Sequence, residues 1–136
     1  MTRETDYAIR IVRALSTGEK LAAPEICRRE QLPLQFAYRI MKKLEKGGII
    51  VITRGADGGA TLSVDLDKIT VYQLVEIVDD KQEINACLHP DFCCPRNTVD
   101  GKPCAVHEYL SGVQDTIVDM LNTQTLGELL TKERSN

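Results

Sequence analysis

The sequence predicts a mainly α-helical fold with a small β-hairpin, a winged helix-turn-helix followed by a long C-terminal dimerisation helix. Three observations carry that expectation. Two helical segments are joined by a short turn at Leu32-Pro33, a glycine-tipped hairpin pattern follows the second directly, and Val106, Leu110, Val113, Ile117 and Met120 form a seam of near-heptad spacing.

Length and composition set the bounds. A chain of 136 residues and 15.2 kDa holds one domain, or a small domain with an oligomerisation element, and leaves no room for a large two-domain enzyme. Apolar residues at 43% and charged residues at 27% fit a soluble globular protein and exclude a mainly disordered one. The longest aliphatic run, Ile49 to Ile52, is far too short to cross a bilayer. No basic leader with an apolar segment opens the sequence, so a cytoplasmic protein without a membrane partner is expected.

Tyr7, Ala8, Ile11, Val12, Ala14 and Leu15 fall at helical spacing, with Arg10 and Arg13 on the other face, which predicts a core helix over about Thr2 to Leu15. Ala23-Pro24 restarts a helix with proline at an early position, where its missing N–H does no harm. Ile26 and Cys27 then point inward, Cys27 as a small apolar side chain. In the next helix Ala37, Ile40, Met41 and Leu44 define one buried stripe, and Gly47-Gly48 closes it.

Its opposite face carries the candidate DNA contacts. Gln35 and Arg39 stand one turn apart as base readers in a major groove, Tyr38 suits a phosphate or sugar, and Lys42 and Lys43 contribute charge. Ile49 to Ile52 forms a strand that pairs with the alternating Ala60, Leu62 and Val64. Between them Arg54 is placed to enter a minor groove, on a tip where Gly55, Gly58 and Gly59 permit positive φ and close approach. Arg54 has a blander reading, a surface salt bridge with Asp57. The charge split agrees with a DNA-facing half: residues 1–60 carry net +4 and residues 61–136 net −7, within an overall −3.

Thr70 and Gln73 form a capping-box pattern ahead of Val71, Leu74, Val75 and Val78, and Asp79-Asp80 ends that helix. Residues 81–103 lack periodicity and hold most of the clustered cysteines. The long helix begins near Cys104, and Thr125 with Glu128 caps a short terminal turn containing Leu126, Leu129 and Leu130. The expected organisation is therefore a DNA-binding domain over 1–80, a cysteine-rich sensor loop over 81–103, and a dimerisation helix with a C-terminal turn over 104–136.

Cys87, Cys93, Cys94 and Cys104 lie within 18 residues. Thiolates are soft ligands for iron-sulfur clusters and zinc, and Cys104 and His107, three apart at a helix start, point the same way. His89 lies near enough to compete. No phosphate loop, nucleophile elbow or pair of catalytic acids emerges, so no enzymatic activity is expected; Cys104 with His107 would form a nucleophilic pair only if no metal bound there.

Several stretches together resemble the winged-helix iron-sulfur regulators of IscR and NsrR type, the Rrf-two family. They are Thr5-Asp6-Tyr7-Ala8-Ile9-Arg10, Leu44-Glu45-Lys46-Gly47-Gly48, Thr53-Arg54-Gly55-Ala56-Asp57-Gly58-Gly59 and Thr125-Leu126-Gly127-Glu128-Leu129. The resemblance implies a homodimeric repressor or activator on a double-stranded DNA operator. It also implies an iron-sulfur cluster, 2Fe-2S by family habit, that senses redox, nitric oxide or iron status.

The family pattern matches Cys87, Cys93, Cys104 and His107 as ligands. The chain departs from it in the vicinal Cys94 and in a longer spacer before Cys104, so Cys94 stays open as the true ligand. The resemblance also offers Asp6 of a partner subunit as an alternative fourth ligand, against an i, i+4 pairing with Arg10. A competing expectation is a regulator without a cluster, controlled by a protein partner, by thiol oxidation or by structural zinc.

Overall fold

The computed structural model describes residues 1–96 and 101–135. Helix α1 (Arg3–Leu15) starts at the side chain of Thr2, which accepts from the Glu4 N–H, and buries Ala8, Ile11, Val12, Ala14 and Leu15. Helix α2 (Ala23–Glu30) ends at Gln31, whose left-handed backbone (φ 58°) turns the chain into α3 (Leu34–Lys46). Helix α3 buries the stripe its sequence predicts, Ala37, Ile40, Met41 and Leu44. Helices α1, α2 and α3 pack against one another around a common core.

The hairpin consists of β1 (Ile50–Thr53) and β2 (Gly59–Leu62), antiparallel, with Ile52 opposite Ala60 and Thr53 opposite Gly59. Both strands differ slightly from the sequence expectation. Ile49 belongs to the closure of α3, its N–H donating to the Leu44 carbonyl at 2.9 Å, and this delays β1 by one residue. Leu21 adds a short bridge on the far side of Ala60, through N–H···O contacts of 3.1 and 2.8 Å. The wing root is thereby tied to the start of α2.

A 3-10 turn (Leu66–Lys68) leads to α4 (Val71–Val78), which opens with the full reciprocal capping box of Thr70 and Gln73. A second 3-10 turn (Ala86–Leu88) lies in the cysteine-rich loop, and residues 97–100 of that loop fall outside the described residues. Helix α5 (Ala105–Asn122) has no fully buried residue.

The terminal segment is a ten-residue helix, α6 (Leu126–Ser135), where the sequence suggested only a turn. Thr125 and Glu128 cap it reciprocally, and Leu126 and Leu130 enter the main core. Its polar face adds Arg13–Glu133 and Arg134–Ser16 contacts back to the region of α1. Residues 126–135 therefore reinforce the winged-helix body. No helix among the described residues is long and apolar enough to cross a membrane.

The α5 seam is divided. Ile117, Val118 and Leu121 face α4 around a small cavity shared with Tyr72 and Val75, and Leu121 packs on the core. Val106, Tyr109 and Met120 stand 64%, 72% and 68% exposed, a large apolar area for a chain on its own.

Candidate nucleic-acid interface and sensor cleft

The polar face of α3 and the hairpin tip border one groove of about 480 Å³. Tyr38, Lys42, Arg54, Gly55, Gly58 and Gly59 all line it, opposite Ala22, Ala23 and Pro24 at the start of α2. Helix α2 begins without a side-chain cap, but Pro24 has no N–H and the Glu25 N–H donates to the Ala22 carbonyl at 3.0 Å, so the groove's positive charge comes from the Lys42 and Arg54 side chains. The combination suits phosphate oxygens. Gln35 is exposed on the first turn of α3.

The α3 cations differ in their freedom. Lys42 and Arg54 are exposed and form no salt bridge among the described residues, so Asp57 does not hold Arg54. The Arg39 guanidinium lies over the Phe36 ring at 5.3 Å and pairs with Glu4 at 2.8 Å, so the head itself is held against the protein while staying half exposed. Lys43 is a strut. Its ammonium sits 2.7 Å from Glu4 Oε2, 3.0 Å from the Val78 carbonyl and 3.6 Å from Asp80, and the hydrogen bond to Glu4 raises its pKa against the opposing effect of burial.

The glycines divide in the same way. Gly55 has φ +107° with nothing near a Cβ position, the freedom expected of a tip. Gly58 and Gly59 lack positive φ. A Cβ on Gly58 would overlap the Thr53 carbonyl, and one on Gly59 would lie 2.9 Å from the Leu21 backbone, so both are required by packing within the wing itself.

Sequence reasoning missed Glu4 and Asp79. Glu4 joins Arg39 and Lys43 of α3 to α1. Asp79, buried at the end of α4, accepts from the Thr2 N–H at 3.0 Å and from the Thr2 hydroxyl, and pairs with the N-terminal amine at 3.6 Å. In the sequence Glu4 looks like an ordinary first-turn carboxylate, and Asp79 like a helix stop. Their partners are 35 or more residues away, beyond any local pattern. Together they connect the point where the cysteine-rich loop departs to helix α3.

The second site is a cleft of about 490 Å³ between the cysteine-rich loop and the start of α5. Cys87, Cys94, Cys104, His89 and His107 line it; Cys93 is exposed and does not. All five cysteines are free thiols. Cys104 is the N-cap of α5, and the backbone N–H groups of His107 and then Val106, helped weakly by Arg96, hold its thiol below the usual range. The Asn85 side-chain amide donates to Cys87 Sγ at 3.3 Å. By contrast, burial raises the Cys27 thiol. His89 Nδ1 accepts from the Asp91 N–H at 3.2 Å.

Three thiols and two imidazoles, with the Asn85 amide directed at Cys87 Sγ, fit a soft metal or a cluster in kind. The side chains border the cleft without closing on one point: among the described residues no three Cys, His, Asp or Glu side chains are gathered as a metal-binding group. Asp6 lies elsewhere, paired with Arg10 at 3.1 Å.

A family model described as "Rrf2: Iron-dependent Transcriptional regulator" matches residues 1–132. Among curated relatives, protein aau3 of Rhizobium meliloti is 27% identical over 133 residues, covering 96% of this chain and 84% of the relative. The HTH-type transcriptional regulator IscR of Vibrio parahaemolyticus is 29% identical over 107 residues, 79% of this chain and 61% of the relative. Among solved structures, CymR, the global cysteine regulator of B. subtilis, superposes with a TM-score of 0.75 at 18% identity, covering 97% of this chain and 96% of that one. T. potens IscR superposes with 0.72 at 18% identity, covering 98% and 87%.

Proposed function

We propose, from the premise that this chain belongs to the Rrf2 family of transcriptional regulators, that it acts as a cytoplasmic homodimer on an operator and carries an iron-sulfur cluster, 2Fe-2S in form, in its sensor cleft. The observation that carries the proposal is the cleft itself, which three thiols and two imidazoles line between the cysteine-rich loop and the start of α5.

On the DNA side, Gln35 and Arg39 read base edges, Tyr38 and Lys42 contact the backbone, and Arg54 enters the adjacent minor groove. Lys43 keeps α3 at a fixed angle to α1 and α4. The exposed apolar side chains of α5 give a second copy a surface to cover, which supports a homodimer. In the cleft, Cys87, Cys104 and His107 would be ligands, joined by one of the vicinal cysteines; Asp6 of the partner subunit is the alternative to His107. The bound cluster would supply a reversible redox- and ligand-sensitive charge.

The chain's own residues transmit the signal. A shift of the loop acts at Asp79-Asp80, and from there on the N-terminus of α1 and on Lys43, Glu4 and Arg39. Such coupling needs different contacts in the two states, which a loop anchored at both α4 and α5 supports. Anaerobic purification tests the reading: red-brown protein with visible absorbance, iron and sulfide supports it, and colourless protein with stoichiometric zinc overturns it.

One observation favours a second reading, a winged-helix regulator without a cluster. The cleft side chains form no metal-binding group among the described residues. In that case the thiols would respond to oxidation or to a protein partner. Metal-free protein whose DNA binding changes on reversible thiol oxidation would select it.

A further inference from the structure

The geometry points to Cys94, and not Cys93, as the thiolate that completes the ligand set with Cys87, Cys104 and His107; this rests on the cluster reading above. The sequence pattern alone favours Cys93, because its distance from Cys87 matches the family spacing. The fold places the two neighbours differently. Cys94 is half-buried and lines the same cleft as Cys87, Cys104 and His107, whereas Cys93 is exposed and outside it.

Adjacent residues in an extended segment direct their side chains to opposite sides, so both thiols of a vicinal pair cannot face one cleft without a change of backbone. The segment Phe92 to Cys94 carries no helical assignment, and Phe92 also lines the cleft, two residues before Cys94. Phe92, which is 43% exposed, and Cys94 border the cleft, and Cys93 between them does not.

Each ligating thiol releases its proton to solvent on binding, so the loaded protein should have three cysteines protected from alkylation and one vicinal cysteine reactive.

The test uses the full chain, loaded and handled without oxygen, in two measurements. In the first, iodoacetamide treatment of the loaded wild type is followed by mass spectrometry. Cys93 should be alkylated while Cys87, Cys94 and Cys104 are protected, and all four should react after acid removal of the cluster. In the second, iron and sulfide per chain and the visible spectrum are compared for Cys93→Ala and Cys94→Ala. Cys93→Ala should keep the wild-type content, and Cys94→Ala should lose it by about tenfold or more.

Protection of Cys93 with alkylation of Cys94, or loss of the cluster in Cys93→Ala, overturns the assignment and leaves the cluster reading intact. Full retention in both variants also overturns it. A wild type that takes up no iron or sulfide overturns the cluster reading first, and the assignment with it.

Discussion

Replacing Arg54 by alanine separates a DNA contact from a structural one. Arg54 is exposed at the wing tip, has no ion pair among the described residues, and lines the groove shared with Tyr38 and Lys42. No internal partner is orphaned by its removal, so folding stability should change by no more than about 0.5 kcal/mol. The loss falls on binding. An arginine in a groove contributes roughly 1–3 kcal/mol, a loss of about 5- to 150-fold in affinity at fixed salt.

The slope of log affinity against log salt should fall by about one for each wing if the contact is to phosphate. Fluorescence anisotropy on a duplex enriched from a random pool, repeated over a salt series, reads both quantities. A folded Arg54→Ala protein with unchanged affinity and slope would remove the wing from the interface.

Lys43→Met should act in the opposite sense. It leaves the Val78 carbonyl and part of Glu4 uncovered, so urea unfolding should show a loss of about 1 kcal/mol, with a smaller effect on DNA affinity than Arg54→Ala. Because the folded Lys43 pKa is raised, its contribution is complete at neutral pH and is lost only as pH rises through that raised value; the gap between wild type and Lys43→Met should narrow only in alkali. Glu25, hydrogen-bonded by Arg28 and then Arg29, is lowered from 4.5 to about 2, so its contribution holds above about pH 4.5 and disappears as pH falls toward 2. Urea melts of Glu25→Gln and wild type should therefore converge over that window, and parallel curves throughout would contradict the pairing. Gly58→Ala should distort the wing turn and lower thermal stability, while Gly55→Ala, strained in φ but unobstructed, should be the milder change.

The helices were legible where local rules decide. The α3 stripe, the Thr70–Gln73 and Thr125–Glu128 caps and the glycine closure at Gly47-Gly48 each depend on residues within one or two turns, and each is present in the fold. The division of roles among the cations was not legible. Lys42 and Lys43 are neighbours of one chemical type, yet Lys43 meets Glu4, 39 residues earlier, and Lys42 meets no anion among the described residues. Gly58 and Gly59 read as tip flexibility, and only the position of Thr53 and Leu21 shows that they are packing requirements. The length of α6 was missed because its apolar positions, Leu126 and Leu130, fill one turn, and the remainder is held by polar contacts to Arg13 and Ser16 more than a hundred residues away. The cysteines and histidines of the loop stood out by residue type, but which vicinal thiol faces the cleft depends on the backbone path of the loop.

The most direct test of the account is the affinity of anaerobically purified protein for one selected duplex, measured before and after the cluster is removed from the same preparation. A specific complex whose affinity changes by about fivefold or more on removal is the predicted result, the scale of an ordinary coupling between two sites. Identical affinity in the two forms would contradict sensing through the cleft, and the absence of specific binding in both would contradict the regulator itself.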